Sequence, residues 1–106
     1  MPKYLIHGNY VSDGVKGLMK DGGSGRKAAI EKLATSLGGS VENLYFAFGN
    51  TDVYGIVDMP DHASMTAFAL VAGASGKVTV TTTVLVTAEE VDEAVKKSPD
   101  YRAPGQ

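Results

Sequence analysis

The sequence predicts a single α+β domain with its elements in the order β-α-β-β-α-β, and three features carry that prediction. Residues 77–86 form the least ambiguous strand, because 78–86 are dense in Val and Thr, β-branched side chains that pack well on a pleated surface. Ile30, Leu33, Ala34 and Leu37 fall at i, i+3, i+4 and i+7, one apolar stripe of a 3.6-residue period. Gly49-Asn50-Thr51 separates two strand-like runs, as the turn of a hairpin does.

The remaining elements follow in chain order. Residues 3–10 alternate and are rich in strand formers, giving the first strand. Ser12 or Asp13 is placed to cap a short helix over 14–20. Residues 21–25 hold three glycines, each costing a continuous helix roughly 1 kcal/mol relative to Ala, so the helix is expected to break there and restart behind Ser24. The second piece covers 26–37 and ends at Gly38-Gly39, glycine being favoured in the left-handed position past a helix. Strands at 43–48 and 52–59 flank the hairpin turn. Pro60-Asp61 stops the latter and caps a helix over 62–72, whose stripe is Met65, Phe68, Ala69 and Ala72. After the strong strand, Thr87-Ala88-Glu89-Glu90 has capping-box spacing and predicts a short helix over 88–97. The domain is expected to occupy 1–97, with 98–106 an extended or disordered tail.

This order matches the split βαβ, or ferredoxin-like, arrangement, in which right-handed crossovers put both helices on one face of a four-stranded antiparallel sheet. The period of two then sorts the side chains. Tyr4, Ile6, Gly8, Leu44, Phe46, Phe48, Val53, Gly55, Val57, Met59, Val78, Val80, Val84 and Val86 are assigned to the helix side. The open side is left with Leu5, His7, Asn9, Tyr45, Ala47, Tyr54, Ile56, Asp58, Thr79, Thr81, Thr83 and Leu85. That face is too polar for a dry core and too apolar for bare solvent. Apolar patches beyond a few hundred Å² mark interfaces, and a sheet face offers the ~800 Å² per partner of a standard one. A homodimer paired through this face, enclosing a wet or ligand-filled space, satisfies both properties and leaves room for higher oligomers.

Composition narrows the function. The chain is 43% hydrophobic and 21% charged, in the range of globular domains. Ten basic against twelve acidic residues lack the surplus that phosphate neutralisation demands, so no nucleic-acid partner is expected. With no cysteine, disulfides, thiolate metal sites and cysteine nucleophiles are excluded. His7 and His62 lie far apart on different elements, and no metal-ligand spacing is present. No apolar run approaches the ~20 residues of a membrane span, and the N-terminus has no signal-peptide pattern. The expectation is a cytoplasmic, bacterial-type protein without cofactor.

Two segments carry a resemblance. Asn9-Tyr10-Val11-Ser12-Asp13-Gly14-Val15-Lys16 is similar to the first strand-to-helix junction of GYD domain proteins, small members of the dimeric α/β-barrel superfamily. Phe48-Gly49-Asn50-Thr51-Asp52-Val53-Tyr54-Gly55-Ile56-Val57-Asp58-Met59-Pro60-Asp61 resembles the region of the family's name-giving motif. The likeness runs from about Pro2 to Val91 and implies the fold and the dimer. It departs at Thr51, where the family has tyrosine before the aspartate. The superfamily it implies spans cofactor-independent monooxygenases, haem enzymes, ligand sensors and dehalogenase-like proteins, so it selects no activity.

Among single residues, His7 is the sharpest catalytic candidate, because imidazole titrates near neutral pH. Asn9, Tyr45, Tyr54, Asp58 and Thr81 share its face and are the candidate ligand-binding residues. A histidine hydrogen-bonded across a dimer interface explains His7 more economically, since no nucleophile or cofactor motif accompanies it. Asp52 reads as a hairpin residue, His62 as a solvated first-turn residue, and Tyr10 and Lys16 as rim positions. Gly22 to Gly25 could hold an anion ahead of a helix, but a helix break accounts for them more economically. Two functions follow: a dimer that binds a small organic molecule in its central cavity or is purely structural, or a monooxygenase- or isomerase-like enzyme with His7 as general base.

Overall fold

The computed structural model describes residues 1–106. Strands β1 (Lys3–Tyr10), β2 (Ser40–Phe46), β3 (Val53–Asp58) and β4 (Val78–Leu85) form one sheet in the order β2-β3-β1-β4. Every neighbouring pair is antiparallel. Helices α1 (Ser12–Ser36) and α2 (His62–Ala74) complete the β-α-β-β-α-β order, and α3 (Ala88–Val95) follows β4. The chain is thus α+β and ferredoxin-like.

The core lies between the sheet and the two long helices. Tyr4, Ile6, Val57 and Met59 from the strand side meet Ala34, Met65 and Phe68 from the helices, with Ile30, Leu33, Leu37, Val41 and Val80 packed around them. The stripes expected on α1 and α2 are the ones that face inward. Asp61 caps α2 by accepting from Ser64 N–H at 2.7 Å, and Gly38 ends α1 with a φ of 83°. The capping box at Thr87 and Glu90 is present in both directions.

Several expectations need correction. The glycine-rich break is confined to one residue: Gly22 has φ 74° and ψ 169°, while helix continues on both sides. The first piece is anchored where Val11 N–H donates to Lys77 O at 3.0 Å, and the second is held by Ile30 and Leu33 on the core. Each therefore persists despite its glycines. Val11, not Ser12 or Asp13, is the N-cap, without a side-chain bond, and Ser24 lies inside the helix.

Strand β2 begins earlier than expected, and a bulge between Val41 and Asn43 shifts its register. The extra residue, Glu42, switches the alternation, so Val41 as well as Leu44 faces the helices. Phe48 lies beyond the strand and is 78% exposed rather than under the helices. Val84 and Val86 are exposed, but Val84 keeps the expected side, opposite Tyr4 and in a shallow depression with His62 and Met65 of α2, while Val86 lies beyond the end of β4. Helix α3 stops at Val95, short of residue 97.

Candidate functional site

Pairing register arranges the open face into transverse rows. Tyr45 stands opposite Tyr54, Tyr54 opposite His7, and His7 opposite Thr81, so four of the candidate residues form one continuous row across all four strands. Neighbouring strands are about 4.8 Å apart, which makes the row roughly 14 Å long. His7 and Tyr54 stack with ring centroids 6.0 Å apart and planes 27° apart. Tyr45 is 70% and Tyr54 43% exposed, so the row presents aromatic surface outward.

The next row carries Asn43, Ile56, Leu5 and Thr83, and its first three residues line a shallow depression with Tyr45 and Tyr54. Asn9 belongs to the row on the other side of His7, paired with Thr79. Asp58 is not beside His7. It pairs with Lys3 two rows away, where Lys3 Nζ donates to Asp58 Oδ1 at 2.9 Å and to Glu42 Oε2 at 3.1 Å. These two carboxylates, Asp58 first, hold the Lys3 ammonium above its ordinary pKa. The neighbours of His7 in its row are a tyrosine and a threonine, so no carboxylate stands there to orient the ring.

On the opposite face the structure holds a feature that the sequence did not reveal. Helices α1 and α2 do not pack extensively on each other, and between them lies a cleft of about 230 Å³ in which eleven of thirteen lining residues are apolar. Ile6, Val53, Val78 and Val80 form its floor, with Ile30 and Leu33 on one wall and Phe68 and Val71 on the other. Arg26 and Ser75, with the hydroxyl of the otherwise apolar Tyr10, supply the polar groups. The Arg26 guanidinium lies 3.7 Å from Asp21 Oδ2, too far for a strong hydrogen bond, so donors remain for another acceptor. Tyr10, expected at a rim, lines this cleft; Lys16 does not. The signal that would have found the cleft is the alanine on each wall, Ala29 and Ala72, where larger side chains would have closed the gap.

Other histidine and acid positions serve the fold. His62 is not merely solvated: its Nδ1 hydrogen-bonds the hydroxyl of Tyr4, and the rings meet edge to face at 5.7 Å. Burial, with the charge of Asp61 adding to it, raises the Tyr4 phenol. Asp52 accepts from Tyr10 N–H at 3.0 Å, which ties the hairpin to the end of β1.

The sequence profile of the GYD domain matches residues 4–95, nearly the whole chain. The chain belongs to the GYD domain family. Comparison with curated proteins and with solved structures returns no match. In this GYD domain the segment around the name-giving motif is a structural junction, with Asp52 as its latch. No helix is long and apolar enough to cross a membrane, and no group of three or more His, Cys, Asp or Glu residues is arranged to hold a metal ion.

Proposed function

We propose that this GYD domain is a homodimeric binding protein for a small organic molecule, with the ligand in the α1–α2 cleft and a second copy over the open sheet face. The observation that carries the reading is the shape of the two faces. A concave, apolar cleft with a few polar groups is what a small molecule needs, whereas a broad and nearly flat face suits a macromolecular partner. Arg26 and Tyr10 favour a ligand with an anionic or hydrogen-bonding end on an apolar body. Across the pairing, the Tyr45–Tyr54–His7–Thr81 row supplies rigid aromatic contact area together with hydrogen-bonding tips.

The thin core supports pairing. Only 12 of 106 residues are buried, and those in the cluster lie on the helix side of the sheet. General-base catalysis by His7 has less support, because the acid that would orient the imidazole is engaged by Lys3 two rows away.

Native mass spectrometry on protein purified gently from its own host tests the proposal. The expected species is two chains plus a discrete small adduct. Ala29→Trp, at an exposed position on the cleft wall, should remove the adduct and keep the dimer. Tyr45→Lys with Tyr54→Lys should give monomer that keeps the adduct. Adduct retained in Ala29→Trp would place the ligand elsewhere, and a monomeric wild type would overturn the pairing.

A further inference from the structure

The C-terminal helix is formed but has nothing beneath it. None of the residues of α3 is buried, and it makes no extensive contact with any other element. The chain's radius of gyration is 17.0 Å and its longest extent 56 Å, against about 13 Å expected for a compact domain of this size. The excess is an arm. Yet α3 is cleanly amphipathic: Ala88, Val91 and Val95 share one side, and Glu89, Glu90, Asp92 and Glu93 occupy the rest. Val91 is 48% and Val95 75% exposed. Eight residues is well below the ~12–15 at which an isolated helix holds in water, even with a good cap. Such a helix persists by burying its apolar stripe on something.

A surface with matching character exists at the start of α1. Val11, Val15 and Met19 form an apolar stripe exposed by 39%, 42% and 81%, bordered by Lys16 and Lys20. Its apolar stripe answers that of α3, and its lysines answer the acids. Within one chain the two are anchored at opposite ends of β4. The start of α1 is fixed at the Lys77 end of β4, where Val11 N–H bonds Lys77 O, and α3 leaves from the Leu85 end. Eight strand residues separate them by roughly 26 Å, while an eight-residue helix is only about 12 Å long.

We infer that α3 is an exchange arm that docks on the first half of α1 in a second copy of this chain. In a two-fold pair the contact is reciprocal, each copy lending its acidic helix to the lysine-flanked stripe of the other. The inference stands apart from pairing through the sheet face, and it assigns a partner to two surfaces which that pairing leaves bare.

The absence of native cysteine permits a direct test by disulfide trapping. Val95→Cys and Met19→Cys are prepared as separate chains, each changed at an exposed position, then mixed and treated with diamide. The expected result is a linked two-chain species several-fold more abundant in the mixture than in either variant alone. Adding Lys16→Glu and Lys20→Glu to the Met19→Cys chain should reduce it, and Glu89→Lys with Glu93→Lys in the other chain should restore it. No enrichment in the mixture would overturn the inference. So would Val95→Cys chains linking mainly to each other, or a chain carrying both cysteines closing on itself at high dilution.

Discussion

Asp52 Oδ2 accepts the backbone N–H of Tyr10 at 3.0 Å, while the N–H of Asp52 donates to Gly8 O at the same distance and its carbonyl accepts from Ala47 N–H at 2.8 Å. One residue thus closes the hairpin and fastens it to the last residues of β1. Replacing Asp52 by Ala removes a hydrogen bond to a charged acceptor and is expected to cost about 1.5–3 kcal/mol. Asp52→Asn keeps an acceptor and should cost less. Urea denaturation of both variants checks the order. If ligand binding survives in the folded Asp52→Ala chain, the aspartate is a latch and not a ligand group.

Tyr4 and Lys3 predict the alkaline limit of stability. Burial holds the Tyr4 phenol above its ordinary value, so above pH ~10 the unfolded chain ionises first and binds fewer protons. Stability must then fall as pH rises. Lys3, raised by Asp58 and Glu42, acts in the same direction: its contribution is full below the unfolded value and is lost as pH climbs through the folded one. Tyr4→Phe should cost about 1 kcal/mol at neutral pH through the lost bond to His62 and flatten the decline above pH ~10. Melting temperatures from pH 8 to 11 measure both effects, and an unchanged slope in Tyr4→Phe would contradict the assignment.

Asp61 predicts the acid limit. The N–H of Ser64, then its side chain, then the charge of His62 hold the Asp61 carboxyl below its ordinary value. A depressed acid contributes stability that is present above the unfolded value and lost as pH falls through the folded one. Wild type should therefore weaken below pH ~4. Asp61→Asn, which keeps a capping oxygen, should show a shallower acid limb. Asp61→Ala loses the cap altogether and should melt roughly 4–8 °C lower even at neutral pH.

How far the sequence could lead is clear from particular residues. A two-residue period leaves few ways to orient β1 and β3, so alternation, with polar content deciding β1, puts Tyr4, Ile6, Val53 and Val57 on the buried side where they are found. Asp61 and Thr87 announce their helices through side chains that bond locally. The misplaced features depend on distant partners. The bulge at Glu42 lies where that residue reaches Lys3, 39 positions away. His62 became a partner of Tyr4 only when α2 settled over β1. The gathering of Tyr45, Tyr54, His7 and Thr81 into one row was half legible: their shared face followed from parity, but their alignment needed the register, which also set Asp58 apart.

Gly22 makes the last prediction, because two opposing effects meet there. Alanine is the better helix former by about 1 kcal/mol, so a straightened α1 would gain from Gly22→Ala. The observed φ of 74° with ψ 169°, however, is a region that essentially only glycine occupies, and an L side chain held there costs roughly 1–3 kcal/mol. Straightening is resisted at both ends, since Val11 is bonded to Lys77 and Ala34 is fully buried in the core. The strain should therefore prevail, and Gly22→Ala should destabilise the domain by about 1 kcal/mol or more. The kink also places Asp21 beside Arg26, which lines the cleft, so the same variant should weaken retention of any adduct there. A variant more stable than wild type would show that the two halves of α1 are free to realign.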